Sequence, residues 1–261
     1  MIRTMKFPLI CILALLQALQ LSALAMSNSV VNMSHYDTMR VDFDRMRNEG
    51  IVGAIHESSY PPFVRDDKYF RRQVDATRAG LLSGAYHFAN ARDPIRQADF
   101  FVDTVASAWR RADPSGRPEQ VLMVLDFEKN GHYPGGTMNV EQAVKFVERV
   151  RQRTGKYPGF YSNENRIRTV LNSPSVSPAY QRVLANCWLW VANYTYTPRD
   201  MSPWNRWHMW QYTGDGKCLL RPRSQFPKSV ANIKNAERNM FYADRGSLRQ
   251  FWRQHGWTVS D

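Results

Sequence analysis

Short hydrophobic runs recur at intervals of a few tens of residues along most of the chain. They are rich in β-branched and aromatic residues, which is typical of strands. The runs occupy residues 29–36, 51–59, 81–88, 121–128, 157–163, 187–194 and 207–213. Polar side chains follow the apolar part of each run, which predicts a polar edge where the strands end.

Three of the intervening segments carry apolar residues at helical spacing. In residues 139–155 these positions fall on one face, and Asn139 and Gly155 are suited to cap the two ends. Residues 66–80 and 94–111 have a similar pattern, with Pro94 well placed for a first helical turn. The chain is therefore predicted to alternate between strands and helices.

This alternation predicts a mostly parallel sheet, because parallel neighbours need a long return path that a helix supplies. Seven or eight strands in one domain favour closure into a TIM-like (β/α) barrel over an open sheet. We find no linker or internal repeat after residue 25. The predicted fold is therefore a single-domain α/β barrel whose chemistry lies at the C-terminal ends of the strands.

Residues 1–25 are predicted to be a secretory signal peptide. Arg3 and Lys6 precede an apolar run, and Ala23-Leu24-Ala25 offers a small-x-small cleavage site. Cleavage would leave residues 26–261 as the barrel domain, secreted or periplasmic and without stable membrane insertion. The alternative is an uncleaved signal anchor, since the run is nearly long enough to span a bilayer.

The 261-residue chain has 35 Lys and Arg against 23 Asp and Glu, a net charge of +12. Such an excess attracts anionic polymers, and an exported protein meets those of the bacterial envelope first. Nucleic acid is a less fitting partner, because the basic residues are spread over nearly every predicted helix and loop. We expect a monomer without a cofactor.

Two carboxylates, Asp126 and Glu128, end the most apolar run of the chain. Residues two apart on a strand share a face, so both should lie at the barrel mouth while Phe127 faces the helices. Close, partly desolvated carboxylates raise one pKa and so place a proton donor beside an anion, as glycoside hydrolysis requires. The structural alternative is a pair of acids bonded to Lys and Arg side chains.

Eight short motifs, taken in order, resemble glycoside hydrolase family 25, the Chalaropsis-type lysozymes. They are SHY (34–36), GLLSGAYHFA (80–89), QADFF (97–101), VLDFE (124–128), GFYSN (159–163), LWVANY (189–194), WQYTGDG (210–216) and ERNMF (237–241). The resemblance implies an irregular α/β barrel. It also implies an N-acetylmuramidase that cuts the β-1,4 bond between N-acetylmuramic acid and N-acetylglucosamine in peptidoglycan, with net retention.

The resemblance also assigns roles by position. Glu128 would be the general acid and base, and Asp126 would stabilise the positive transition state or orient the acetamido group of the substrate. Eight further residues are implied to line the glycan groove or to lie near the catalytic pair, although packing is an equally good role for most of them. They are Asn32, His35, Tyr86, Tyr161, Trp190, Tyr194, Gln211 and Glu237.

Two positions depart from the family pattern. Asn32 stands where the family usually has Asp, and Glu237 begins a Glu-Arg-Asn in place of Asp-Arg-Asn. The lost charge at Asn32 should lower the pKa of a nearby acid and weaken stabilisation of a cationic transition state. We therefore expect an active enzyme with a shifted pH optimum or altered substrate preference. The rival hypothesis is a catalytically weakened barrel that binds peptidoglycan or another carbohydrate.

Three further points limit the alternatives. A chitinase-like barrel also uses Asp-x-Glu, but Val124 occupies the position of its additional Asp. Cys187 and Cys218 could form one disulfide in an oxidising compartment or remain two buried thiols. No Cys or His spacing matches a linear metal-binding motif, so no metal is predicted.

Overall fold

Within residues 26–260, which the computed structural model describes, nine β-strands form one sheet. Pairing of β1 with β2 closes eight of them into a barrel of order β1-β9-β8-β7-β6-β5-β4-β2, and β3 forms a hairpin with β2 outside the ring. The predicted single-domain α/β barrel is confirmed. The strands are β1 (Ser27–Met33), β2 (Gly53–Tyr60), β3 (Val64–Arg65), β4 (Leu82–Phe88), β5 (Val121–Asp126), β6 (Gly159–Asn163), β7 (Trp188–Ala192), β8 (Met209–Thr213) and β9 (Glu237–Phe241).

The predicted signal peptide, residues 1–25, lies outside the described residues. Seven helices flank or close the barrel in the described part of the chain. They are α1 (Phe43–Asn48), α2 (Tyr69–Arg78), α3 (Pro94–Arg111), α4 (Val140–Thr154), α5 (Glu164–Arg166, continued by a π-helical turn at Ile167–Leu171), α6 (Pro178–Leu184) and α7 (Arg245–His255). Among these helices, none is both long and apolar enough to cross a membrane.

The three helices predicted from apolar spacing are confirmed. Asn139 begins α4 with a capping box that it shares with Gln142, and Gly155 ends the helix in the left-handed conformation. Pro94 opens α3 in its first turn. The irregular part of the barrel is its last third, where residues 193–208 and 214–236 connect strands without a helix in the described structure.

Strand β9 breaks the parallel pattern of the ring. All other neighbours in the ring are parallel, whereas β9 is antiparallel to both β8 and β1. Because β9 is antiparallel to β8, it begins at the end of the barrel where the parallel strands finish. Its first residue, Glu237, therefore pairs with Asn32 near the end of β1. The sequence did not predict this reversal.

The barrel interior is packed, which confines the open space to the mouth. Its apolar filling includes Val30, Ile55, Leu122, Val124, Trp188 and Met209. Helix α7 closes the opposite end, where Trp252 is buried and its Nε1–H donates to the Ser83 carbonyl (2.8 Å). A second apolar layer lies between the strands and helices α3 and α4.

The prediction of a possible disulfide between Cys187 and Cys218 is wrong, since both residues are free and buried. Cys187 directly precedes β7, whereas Cys218 follows the end of β8. Because β7 and β8 are parallel, these positions lie at opposite ends of the barrel and cannot be bridged. The alternative of two buried thiols holds.

We expect Gly159→Ala to destabilise the protein by about 1–3 kcal/mol, because a Cβ at Gly159 would overlap the buried Trp188 ring inside the barrel. Gly131→Ala is the matched control, since a Cβ there has no neighbour within 4 Å. Urea unfolding of the three proteins measures the effect. Equal free energies of unfolding for both variants would contradict the tight packing of β6 on β7.

Candidate active site

The carboxylate pair is oriented by the residue between its members. Asp126 is the last residue of β5, and Glu128 follows two positions later. Phe127 is fully buried on the helix side of the sheet. Its ring packs against Phe160 with centroids 5.2 Å apart, and the Arg166 guanidinium lies 4.3 Å from its centroid. With Phe127 anchored outward, the carboxylates on both sides turn to the mouth.

The backbone at Phe127 is also fixed, although the strand formally ends one residue earlier. The Phe127 N–H donates to the Tyr161 carbonyl (2.9 Å), and the Phe127 carbonyl accepts from Ser162 Oγ (2.8 Å). Both partners belong to β6. The turn that carries Glu128 is therefore held by two hydrogen bonds as well as by side-chain packing.

Asp126 and Glu128 open into a cavity of about 420 Å³ at the barrel mouth. Six carboxylates line it, whereas Lys129 is the only Lys or Arg among the lining residues. The acids come from five parts of the chain, so the concentration of negative charge is a product of the fold. They are Asp37, Glu57, Asp126, Glu128, Asp215 and Glu237.

A second cavity of about 380 Å³ adjoins the first. The two share Glu128, Tyr194 and Asp215, so together they form one groove that passes Glu128. Each cavity is lined by an exposed tyrosine, Tyr36 in the first and Tyr196 in the second. An extended chain can therefore lie on both sides of the carboxylate pair.

Burial raises the pKa of Asp126 well above its usual range. The neighbouring charges of Glu128, Glu57 and Glu237 raise it further, and the Arg166 guanidinium opposes them. Asp126 Oδ1 has no hydrogen-bond partner among the described residues. The side chain is thus held in a place where its neutral form is favoured and where one oxygen is free to accept a hydrogen bond.

Burial also raises the pKa of Glu128. A weak hydrogen bond from Asn163 Nδ2 (3.5 Å) lowers it, the charge of Asp215 raises it, and Arg166 lowers it. The two groups are close, so like charges oppose their double ionisation and act with burial to raise both pKa values. The sequence predicted one raised pKa, and in the structure both are raised.

A chain of hydrogen bonds connects β7, β9 and β1 at the base of the cavity. Trp190 Nε1–H donates to Asn239 Oδ1 (2.7 Å), and Asn239 Nδ2 donates to Asn32 Oδ1 (2.8 Å). Asn32 Nδ2 in turn donates to Glu237 Oε2. The amide of Asn32 is therefore fixed in orientation, and it presents its donor to a carboxylate.

Comparison with known proteins decides the family. Residues 31–219 match the sequence profile of glycosyl hydrolases family 25. This chain belongs to that family. Lysozyme M1 of Streptomyces globisporus is 26% identical over 198 residues, a stretch that covers 72% of this chain and 62% of the relative. The match thus spans about three fifths of the length of that curated relative.

Solved structures share the fold at low sequence identity. A bacterial lysozyme of Streptomyces coelicolor is 21% identical with a TM-score of 0.65, and the alignment covers 90% of this chain and 99% of that one. A family 25 lysozyme of Aspergillus fumigatus is 20% identical with a TM-score of 0.64, covering 87% and 99%. A muramidase of Acremonium alcalophilum is 21% identical with a TM-score of 0.63, covering 86% and 98%.

Eight of the ten residues singled out in the sequence line the first cavity, namely Asn32, Tyr86, Asp126, Glu128, Tyr161, Trp190, Tyr194 and Glu237. The other two lie behind its wall. Gln211 is 1% exposed and accepts from the Tyr161 hydroxyl, whereas His35 stacks on Tyr60 with centroids 4.3 Å apart and contacts Glu57. Both therefore support residues of the wall.

The family pattern did not single out four residues that shape the site. Glu57, Asp37 and Asp215 add negative charge to the cavity, and Arg166 is the cation that acts on both Asp126 and Glu128. Asp215 lies within the quoted WQYTGDG motif, Asp37 follows SHY, and Glu57 lies near the end of a predicted strand. Arg166 had no comparable signal, because it reaches the pair from α5 across the outer face of Phe127.

Glu237 makes the stability of the folded protein depend on pH. Burial, with the charges of Asp37 and Asp215, raises its pKa from 4.5 to about 8, against the hydrogen bond from Asn32. The folded state therefore holds this proton more tightly than the unfolded state. Its stabilising contribution is present below pH about 4.5 and is lost as the pH rises through about 8.

We expect Glu237→Gln to remove this loss, so that the variant gains stability relative to wild type as the pH rises from 4.5 to 8. Guanidinium unfolding at a series of pH values gives the difference in free energy. Glu119 is exposed, so Glu119→Gln is the control. Its difference in free energy of unfolding from wild type should not change with pH. If the difference for Glu237→Gln is also independent of pH, the raised pKa of Glu237 is contradicted.

Proposed function

We propose that this chain is an exported muramidase of the lysozyme type. It hydrolyses the β-1,4 bond between N-acetylmuramic acid and N-acetylglucosamine in peptidoglycan. The observation that carries this proposal is the pair of carboxylates, buried Asp126 and half-buried Glu128, in a groove formed by two adjoining cavities. Membership in family 25 and the names of the relatives, lysozymes and muramidases, support it.

Glu128 is the proposed general acid and base. It lies where the two cavities meet, so a glycosidic oxygen bound across the groove comes within its reach. Its raised pKa keeps a proton available for the leaving oxygen. After the leaving group departs, the resulting carboxylate can activate water for the second step.

Asp126 is the proposed stabiliser of the sugar. Its carboxyl group lines the cavity and is suited to accept a hydrogen bond from the acetamido N–H, which would orient the amide as an internal nucleophile. Such a bond, and the positive charge that develops on the sugar, both favour the ionised form of Asp126. The shared proton then resides on Glu128, although burial alone favours a neutral Asp126 in the free protein.

Net retention is part of the proposal. Because Asp126 and Glu128 are two positions apart at one strand end, their Cα atoms are about 7 Å apart and their carboxyl groups lie close together. Close carboxyl groups are typical of retaining enzymes, whereas inverting enzymes separate them to admit a water. The route through the acetamido group and the route through a covalent intermediate both give this outcome.

The rest of the molecule fits a polymeric, anionic substrate. The groove continues past Glu128 into the second cavity, which suits cleavage within a glycan strand. The net charge of +12 favours encounter with the carboxylate- and phosphate-bearing polymers of the envelope. Export by the predicted signal peptide would bring the protein to that material.

We expect Glu128→Gln to lower the rate of reducing-end release from purified peptidoglycan by about a hundredfold or more, since the proton donor is lost. Glu148→Gln, on the exposed face of α4, is the matched control and should retain full activity. Reducing-end assays, with mass spectrometry of the released muropeptides, measure rate and bond specificity. Equal rates for wild type and Glu128→Gln would overturn the catalytic assignment. Binding of peptidoglycan without cleavage by wild type would instead support the carbohydrate-binding alternative.

Position 32 carries Asn where the family usually has Asp, and this difference should affect the pH dependence of kcat/KM. Asn32→Asp adds a negative charge beside Glu237 in the cavity, which should raise the pKa of the catalytic acid. We therefore expect the alkaline limb of kcat/KM to move to higher pH. Asn28→Asp, on the same strand but bonded to Tyr212 outside the cavity, is the control. An unchanged limb in Asn32→Asp would show that position 32 does not influence the acid.

A further inference from the structure

A second group of ligating side chains lies beside the groove, outside the carboxylate pair. His35 follows β1, Glu57 belongs to β2, and Asp66 follows β3. A ring nitrogen of His35 and one carboxylate oxygen from each acid lie within 4.8 Å of one another. Both acids are buried, and the His35 side chain is 18% exposed. The proposed hydrolysis uses none of these three residues as a reacting group.

The remaining polar atoms of His35 and Asp66 are already held, which orients their free atoms towards this cluster. Asp66 Oδ1 accepts from the Lys68 N–H (2.8 Å), whereas its buried Oδ2 has no hydrogen-bond partner in the described structure. His35 contacts Glu57 Oε2 through Nδ1, and its Nε2 lies 3.2 Å from the Tyr133 hydroxyl. Support of a histidine through its second ring nitrogen is typical of metal ligands.

The two neighbouring cations, Lys68 and Arg72, direct their donors to other groups. The Lys68 ammonium donates to the His35 carbonyl (2.6 Å). The Arg72 guanidinium donates to backbone carbonyls, including those of Ser34 and Met39 (each 3.2 Å). In the described structure neither side chain makes a hydrogen bond to Glu57 or Asp66.

His56 does not donate a hydrogen bond to Asp66 Oδ2 either. Its Nδ1 lies 3.5 Å from Asp66 Oδ2 but is hydrogen-bonded to the Glu57 carbonyl at 2.6 Å. Asp66 Oδ2 is therefore left without a donor in the described structure, although a carboxylate oxygen of Asp66 lies within 4.8 Å of a ring nitrogen of His35 and a carboxylate oxygen of Glu57.

We propose that His35, Glu57 and Asp66 bind a divalent transition-metal ion, with Zn²⁺ the best match to one imidazole and two carboxylates. The ion replaces any proton held between His35 and Glu57 and gives Asp66 Oδ2 a partner. It completes its coordination with water. By fixing His35, it would stabilise the groove wall formed by Tyr36 and Tyr133. No linear motif in the sequence predicts this site, because the ligands come from three separate segments.

The test is isothermal titration of chelator-treated, tag-free full chain with ZnCl₂ and, separately, MnCl₂. We expect saturable binding of one Zn²⁺ per chain and weaker binding of Mn²⁺. Asp66→Asn should weaken Zn²⁺ binding by at least about tenfold. Asp67→Asn is the matched control, because the Asp67 carboxylate is next in sequence but 86% exposed. This variant should bind Zn²⁺ as wild type does.

Two further measurements separate a metal site from a simple His35–Glu57 ion pair. Zn²⁺ should raise the melting temperature of wild type and of Asp67→Asn, but not of Asp66→Asn. Co²⁺ should give a visible absorption band that His35→Gln abolishes. Wild type without saturable binding, or equal affinities in Asp66→Asn and Asp67→Asn, would overturn the proposal. Because these readouts are independent of peptidoglycan cleavage, their failure leaves the muramidase proposal unaffected, and the reverse also holds.

Discussion

The anchoring of Phe127 is the constraint on which the site depends. Two carboxylates repel each other and are costly to bury, so an unrestrained strand end would turn them into solvent. Phe127 prevents this turn because its ring is fully buried against Phe160 and its backbone is bonded to β6. Apolar packing on the helix side thus supplies the free energy that holds Asp126 and Glu128 in the cavity, where their pKa values are raised.

The reversal of β9 explains how the chain accommodates its departures from the family. An antiparallel strand starts at the mouth, so the side chain of Glu237 reaches the cavity from the first position of β9 and lies opposite Asn32. The Asn32 amide donates to that carboxylate and is itself held by Asn239. One carboxyl group is absent at position 32, but that of Glu237 is fixed by a directed hydrogen bond. The wall at Asn32 is therefore held by hydrogen bonds on both sides of the amide.

Sequence patterns predicted the parts of this structure that depend on local periodicity. Helix α3 begins and ends at the predicted residues, and Asp126 and Glu128 face one cavity as their spacing requires. The direction of β9 was not predictable, since a five-residue strand pairs equally well in either sense and only residues 214–236 decide it. Arg166 and the His35–Glu57–Asp66 cluster were missed for a related reason. Their partners are distant in sequence, and no periodicity connects them.

The contrast between a basic chain and an acidic cavity has an electrostatic explanation. Exposed cations interact weakly with buried acids, because water and salt screen them beyond about 10 Å. Most ion pairs of the described structure lie on the surface, such as Arg149 and Arg153 with Asp99. Arg166 differs from these surface cations, because it is half-buried behind Phe127 and lowers the pKa of both Asp126 and Glu128 without lining the first cavity. The chain can therefore carry a net charge of +12 while burial still raises the pKa of both members of its carboxylate pair.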